Sequence, residues 1–128
     1  MADADQASIE AIDTSFETSV VFDVVTTSRG VSLVERRLEQ PLVKRYPMGD
    51  AFSHWASWDT GVVAADAGVI VGFAAVEFEA WHRRLVLWHL YVQPSHRRRG
   101  VGRALLAHVE DFGRRRKAQR VWLETTSV

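Results

Sequence analysis

The chain has 128 residues, 47% of them hydrophobic, with 16 basic and 16 acidic side chains, which suits one soluble globular domain (residues 1–128) near the common domain size. Its lack of cysteine excludes disulfides, cysteine–zinc sites and a cysteine nucleophile. There is no apolar run of about 18 residues, and the opening MADADQASIE is acidic and polar where a leader would be basic then apolar, so no membrane contact and a cytoplasmic location are expected. The neutral total hides a division: residues 1–81 carry 5 basic and 13 acidic side chains, whereas residues 82–128 carry 11 basic and 3 acidic. Such a split suits an anionic ligand on the C-terminal half and a cationic one on the N-terminal half, although mutual attraction or plain solvation of the two halves explains the counts equally well.

In chain order, the first residues are expected to fray. Ile9, Ile12 and Phe16 recur at helical spacing in ASIEAIDTSF, predicting a short helix from Ala7 that ends near Asp13 to Ser15. The β-branched density of SVVFDVV predicts a strand over Val20 to Thr26, and Ser28-Arg29-Gly30 a turn. VSLVERRL alternates and closes a hairpin, its end open between strand and helix. Gln40 to Asp59 contains Pro41, Pro47 and Gly49 and reads as loop with a helical turn around His54. Trp55 and Trp58 share one face of that turn, where core filling is favoured over an aromatic wall for a substrate. His54 lacks partners at metal-ligand spacing and is taken as structural; no metal site is expected.

From Gly61 the pattern is β. TGVVAAD, a turn at Asp66-Ala67-Gly68, VIVGFAAVEFEAW, a turn at His82 to Arg84 and then LVLWHLYV predict a three-stranded antiparallel meander. The last strand should stop at Gln93-Pro94, because proline cannot donate a ladder hydrogen bond. Val101, Leu105, Val109 and Phe112 predict the longest helix, Val101 to about Lys117, and Arg114 to Lys117 complement its dipole. VWLET is a final strand, expected to pair in parallel through a β–α–β crossover. The fold class is therefore α/β (α+β), with a mixed sheet.

The stretch between the third meander strand and the long helix carries the chemistry. Gly100 and Gly102 permit a sharp turn and close approach of the backbone to a bound group. The free N–H groups of the helix start, with Arg97, Arg98, Arg99 and Arg103 around them, favour a phosphate or pyrophosphate. Leu105 stands where a dinucleotide fingerprint needs its third glycine, and no Gly-Lys-Ser/Thr follows, so neither an NAD site nor a Walker loop fits.

What does fit is R-x-x-G-x-G, spelled Arg97-Arg98-Arg99-Gly100-Val101-Gly102, directly after a strand LYVQPSH. This arrangement resembles the GNAT superfamily of N-acetyltransferases. The segments AIDTSFETSVVFDV, PLVKRYP, GFAAVEFEAWHRRL, VQPSHRRRGVGRALLAHVEDF and VWLETTSV further resemble the streptothricin acetyltransferase branch. The resemblance implies transfer of acetyl from acetyl-CoA to a primary amine of a small cationic substrate. It also implies a coenzyme A site formed by the backbone of Leu90, Tyr91 and Val92 beside the pantetheine and by Arg97, Arg98, Arg99, Gly100, Val101, Gly102, Arg103 and Ala104 around the pyrophosphate.

The chain departs from that branch in two places. Trp88-His89 stands where the branch carries a Glu-Asp pair. A neutral imidazole can take a proton from an ammonium group near neutral pH, so His89 becomes the candidate base, against the alternative of a packed strand histidine. Glu77 and Glu79 on the neighbouring strand are the runner-up carboxylates for that role or, with Trp88, candidates for attracting the substrate cation. Asp13, Glu17 and Asp23 are weaker ones. The second departure is that the sequence stops at Val128, where the family continues with a further helix bearing a thiolate-protonating tyrosine and two more strands. The expectation is a truncated, weakly active or inactive product that binds acyl-CoA without turnover, or a homo-oligomer covering the open edge. A nucleic-acid binder using the arginine cluster ranks last, since zero net charge gives no global attraction, and the run Arg114 to Lys117, without interleaved aromatics, reads better as a solvated helix end.

Overall fold

The computed structural model describes residues 5–49, 51–52 and 57–128. The expected fraying of the first residues and the turn around His54 and Trp55 lie outside the described residues. The elements are α1 (Gln6–Glu10), β1 (Phe16–Thr27), β2 (Gly30–Lys44), β3 (Thr60–Asp66), β4 (Val69–Glu79), β5 (Arg84–Val92), a 3₁₀ turn (Pro94–His96), α2 (Val101–Arg115) and β6 (Arg120–Trp122). They fall into two compact units: Met1–Thr14 with Tyr46–Glu124, and Ser15–Arg45 with Thr125–Val128.

The smaller unit is the β1–β2 hairpin, closed by Ser28-Arg29 between the paired Thr27 and Gly30. Its strands are longer than predicted. β2 runs on to Lys44 through Pro41, which the sequence reading gave to a loop. The proline is tolerated because the register jumps from Thr18↔Leu42 to Val20↔Arg37, so Pro41 lies in a bulge that needs no ladder donor. Opposite it, Thr18 Oγ1 accepts the Val20 N–H at 3.1 Å and donates to the Val20 carbonyl at 2.8 Å. Asp23 is held by Arg36 at 2.6 Å, and the Phe22 N–H donates to the Ser127 carbonyl at 2.9 Å.

The larger unit is a four-stranded sheet in the order β3-β4-β5-β6. The meander pairs antiparallel as predicted, and β5 pairs β6 in parallel after the α2 crossover. α1 is shorter than its periodicity suggests, because Ile9 is already buried inside it and Ile12 is buried just beyond its end.

Each face of the sheet carries its own core. On one, Ala74, Val76, Leu85 and Leu87 pack with Leu105 and Val109 of α2. On the other, Phe73 and Ala75 pack with Ile9, Ile12, Met48 and Ala51. Trp58 joins this second core, donating from Nε1 to the Ala51 carbonyl at 2.7 Å, so the packing reading holds for it. Two glycines let α2 sit close to the sheet. A Cβ on Gly72 would lie 3.1 Å from side-chain atoms of both Leu105 and Val101, and one on Gly113 would lie 2.6 Å from Leu85 Cδ1.

One irregularity sets what the sheet presents. Between Ala75↔His89 and Val76↔Leu87 the register shifts, leaving Trp88 as an extra residue on β5. Leu85 and Leu87 face α2 before the bulge, Leu90 and Val92 after it. His89 and Tyr91 therefore face the other way, beside Phe73.

Candidate active site

The loop after β5 is held from several sides before it reaches the helix. The Gln93 N–H donates to the Val71 carbonyl at 2.9 Å, and Gln93 Oε1 accepts the Asp13 N–H at 2.9 Å. His96 Nε2 lies 3.1 Å from Oδ2 of Asp66, the last residue of β3. Arg97 serves this frame: its Nε donates to the Val92 carbonyl at 2.9 Å and its Nη2 to the Asp13 carbonyl at 3.2 Å. Its guanidinium therefore departs from the expected place around an anion, because two backbone carbonyls hold it. Gln93, Asp66 and His96 were not singled out in the sequence. The Gln93-Pro94 junction had marked only the end of the strand.

Beyond Arg97 the backbone turns into the left-handed region twice, at Arg98 (φ 64°) and at Gly100 (φ 86°). The first helical hydrogen bond joins the Ala104 N–H to the Gly100 carbonyl at 3.0 Å, and no side chain caps the helix. The amides of Val101, Gly102 and Arg103 thus have no intrahelical acceptor. Arg98, Arg99 and Arg103 are exposed, and none forms an ion pair among the described residues. A Cβ on Gly102 would meet nothing nearer than Val92 at 3.9 Å, so that position leaves open space against the end of β5. Uncapped amides, three exposed cations and open backbone fit the diphosphate of coenzyme A.

The edge of β5 next to this cradle is open. β6 pairs only with Arg84, Leu85 and Val86, so Leu87 to Val92 have no strand on that side among the described residues. The Gln93 N–H points towards β4, so by strand alternation the backbone groups of Leu90 and Val92 face the open side and those of Tyr91 face β4. Of the three residues expected beside the pantetheine, Leu90 and Val92 therefore offer their edges, and the Val92 carbonyl is already taken by Arg97.

On the face away from α2, His89 and Glu77 come together: Ala75↔His89 and Glu77↔Val86 lie two residues apart along β4. His89 is flanked by Phe73 (ring centroids 6.2 Å apart) and Tyr91 (5.9 Å). Burial lowers its pKa, keeping the imidazole neutral. Burial, with a smaller contribution from Tyr46, raises that of Tyr91. Glu77 accepts Trp88 Nε1–H at 3.0 Å and has no ion pair among the described residues. Glu79 differs: Arg84 Nε donates to it at 2.6 Å, and that hydrogen bond holds its carboxyl below the usual range. Arg84 also lies 4.9 Å over the Trp122 ring. Glu79 is thus already neutralised, Asp23 is paired within the hairpin, and Glu77 is the better candidate for a cationic amine. No group of three metal-ligating side chains occurs among the described residues, and no helix among them is long and apolar enough to cross a membrane.

A mixed sheet that opens beside a strand bulge, next to an uncapped helix start, defines an acyltransferase that holds a nucleotide thioester. The chain belongs to the acetyltransferase (GNAT) family, whose profile matches residues 31–128, and is an acetyl-CoA-dependent N-acetyltransferase. Among its relatives is the streptothricin acetyltransferase of Streptomyces lavendulae, 40% identical over 131 residues that cover 97% of this chain and 69% of that protein. The crystal structure of nourseothricin acetyltransferase superposes with a TM-score of 0.83 at 36% identity, covering 100% of this chain and 72% of that one. A Bacillus anthracis str. Ames protein solved with acetyl coenzyme A shares the fold, with a TM-score of 0.75 at 17% identity over 98% of this chain and 72% of that one.

Proposed function

We propose that this enzyme acetylates a primary amine of a streptothricin-type cationic antibiotic. The observation that carries this reading is the carboxylate of Glu77, free of any ion pair among the described residues and hydrogen-bonded to Trp88 at the β5 bulge, in a chain 40% identical to a streptothricin acetyltransferase. The cofactor supplies the acetyl thioester. The amides of Val101, Gly102 and Arg103, with the side chains of Arg98, Arg99 and Arg103, hold its diphosphate. Leu90 and Val92 offer their strand edge to the pantetheine. Glu77 draws the ammonium form of the substrate towards the bulge, and the ring of Trp88 orients that carboxylate. The reaction runs in the cytoplasm, where acetyl-CoA is made.

Mass spectrometry of streptothricin incubated with the enzyme and acetyl-CoA tests the reading. A gain of one acetyl group on the antibiotic is expected, and it should fall at least tenfold in Glu77→Gln at substrate concentrations below KM. Tight binding of coenzyme A with no acetylated product would instead identify a binding module.

A further inference from the structure

We propose that His89 acts in the transfer as a hydrogen-bond donor, presenting Nε2–H to the carbonyl oxygen of the acyl group, and is not the base that takes the amine's proton. This rests on the acetyltransferase reading above and assigns one of its residues a different part from the one its residue type suggests.

The inference comes from which ring nitrogen is enclosed. Among the described residues, His89 Nδ1 is the one buried side-chain polar atom without a hydrogen-bond partner. Nε2 is not enclosed in this way, so it is the nitrogen that reaches solvent. A neutral imidazole carries a single proton and must place it on one of the two. On Nδ1 it would make an orphaned N–H in the interior, a rarer and costlier arrangement than an idle lone pair. The proton therefore sits on Nε2, and the outward-facing nitrogen is a donor. General base catalysis needs the reverse, a lone pair facing the amine.

The surroundings reinforce this choice. Phe73 and Tyr91 flank the ring at interplanar angles of 23° and 31°, so it is held by apolar packing, and among the described residues no carboxylate bonds Nδ1 to favour the other tautomer. The Trp88 bulge brings the ring to the same face as Glu77, at the open edge of β5. Two tasks are thereby divided between two side chains. Glu77 gathers the cation, and His89 meets the oxygen.

In the transfer the ammonium first gives up a proton to water, and the neutral amine nitrogen then forms a bond to the acetyl carbon while an electron pair moves onto the carbonyl oxygen. That growing negative charge is what the Nε2–H hydrogen bond stabilises. The carbonyl then re-forms, the carbon–sulfur bond breaks, the thiolate leaves, and the surplus proton of the amine passes to water. His89 ends as it began, neutral and singly protonated.

The tautomer can be read directly from long-range ¹H–¹⁵N correlations of the His89 ring in uniformly labelled protein, with and without coenzyme A. A proton on Nε2 between about pH 6.5 and 8 is expected, and a proton on Nδ1 overturns the proposal. Kinetics supply the second readout. His89→Ala should lower kcat about 100-fold, and His89→Gln, which keeps an N–H donor and cannot serve as a base, should recover at least tenfold of that loss. His89→Glu, a base without a donor at neutral pH, should recover none. Equal rates for the Ala and Gln variants, or recovery by Glu alone, overturn the proposal. Calorimetry with coenzyme A separates the two layers. Variants that bind like the wild type attribute the rate changes to His89, whereas a wild type that neither binds coenzyme A nor acetylates an amine removes the functional reading and this inference with it.

Discussion

The two ends of α2 carry similar arginine clusters put to different uses. At the N-terminal end, Arg98, Arg99 and Arg103 surround amides without intrahelical acceptors and form no ion pairs among the described residues. At the C-terminal end two of the cations, Arg114 and Arg116, are occupied at home. Arg114 binds Asp111 and Glu110, Arg116 lies 5.2 Å over the Phe112 ring, and the run as a whole faces the negative end of the helix dipole. The positive character of a sequence window thus says little until the helix polarity and the local partners are known. The unpaired cluster lies at the end where the dipole also attracts an anion.

Replacing Arg98, Arg99 and Arg103 together by Ala should break this contrast most severely, weakening coenzyme A binding about 100-fold by calorimetry as the charge-assisted hydrogen bonds are lost. Next comes Gly113→Val near the other end. Its Cβ would collide with the enclosed Leu85, so urea unfolding should show a loss of about 2 kcal/mol from overpacking. Gly100→Ala should cost about 1 kcal/mol of stability, because φ 86° strains any residue with a Cβ, and should loosen coenzyme A binding as the cradle relaxes. The matched control, Arg115, Arg116 and Lys117 to Ala, should change coenzyme A affinity by no more than about twofold, since screened charges a helix length away contribute little.

A smaller effect concerns acid. Burial holds the His89 imidazole below its ordinary 6.5. The unfolded chain therefore binds a proton near that value when the folded chain does not, and the residue's contribution to stability is complete above 6.5 and declines as pH falls towards the lowered pKa. His89→Gln should flatten that acid limb in urea midpoints measured from about pH 7 to 5. A limb of unchanged slope would show that the ring does not titrate below its unfolded value.

Much of the larger unit was legible because its signals are local. Apolar, β-rich runs between turn residues marked β3, β4 and β5, the Ala67-Gly68 turn marked the hairpin, and Pro94 marked the end of β5. The smaller hairpin was under-read. The extension of β2 through Pro41 depends on a partner-strand irregularity that has no signature in the residues themselves. In the site, the cradle was visible as glycines among arginines, but the separate employment of Arg97 was not, since its acceptors include the Asp13 carbonyl, distant in the chain. His89 was found for its residue type, whereas its burial pattern exists only once Phe73 and Tyr91 are beside it. Glu77 and Glu79 looked equivalent until Arg84 was seen to occupy one of them.

The supernumerary tryptophan in β5 also bears on what this strand presents beyond it. Drawing that residue into the pleat would turn everything after it over: Leu90 and Val92 would swing out to solvent, and His89 and Tyr91 would be driven under the helix. The faces after the kink therefore depend on that residue staying looped out of register, while the identity of the side chains beside it is left free.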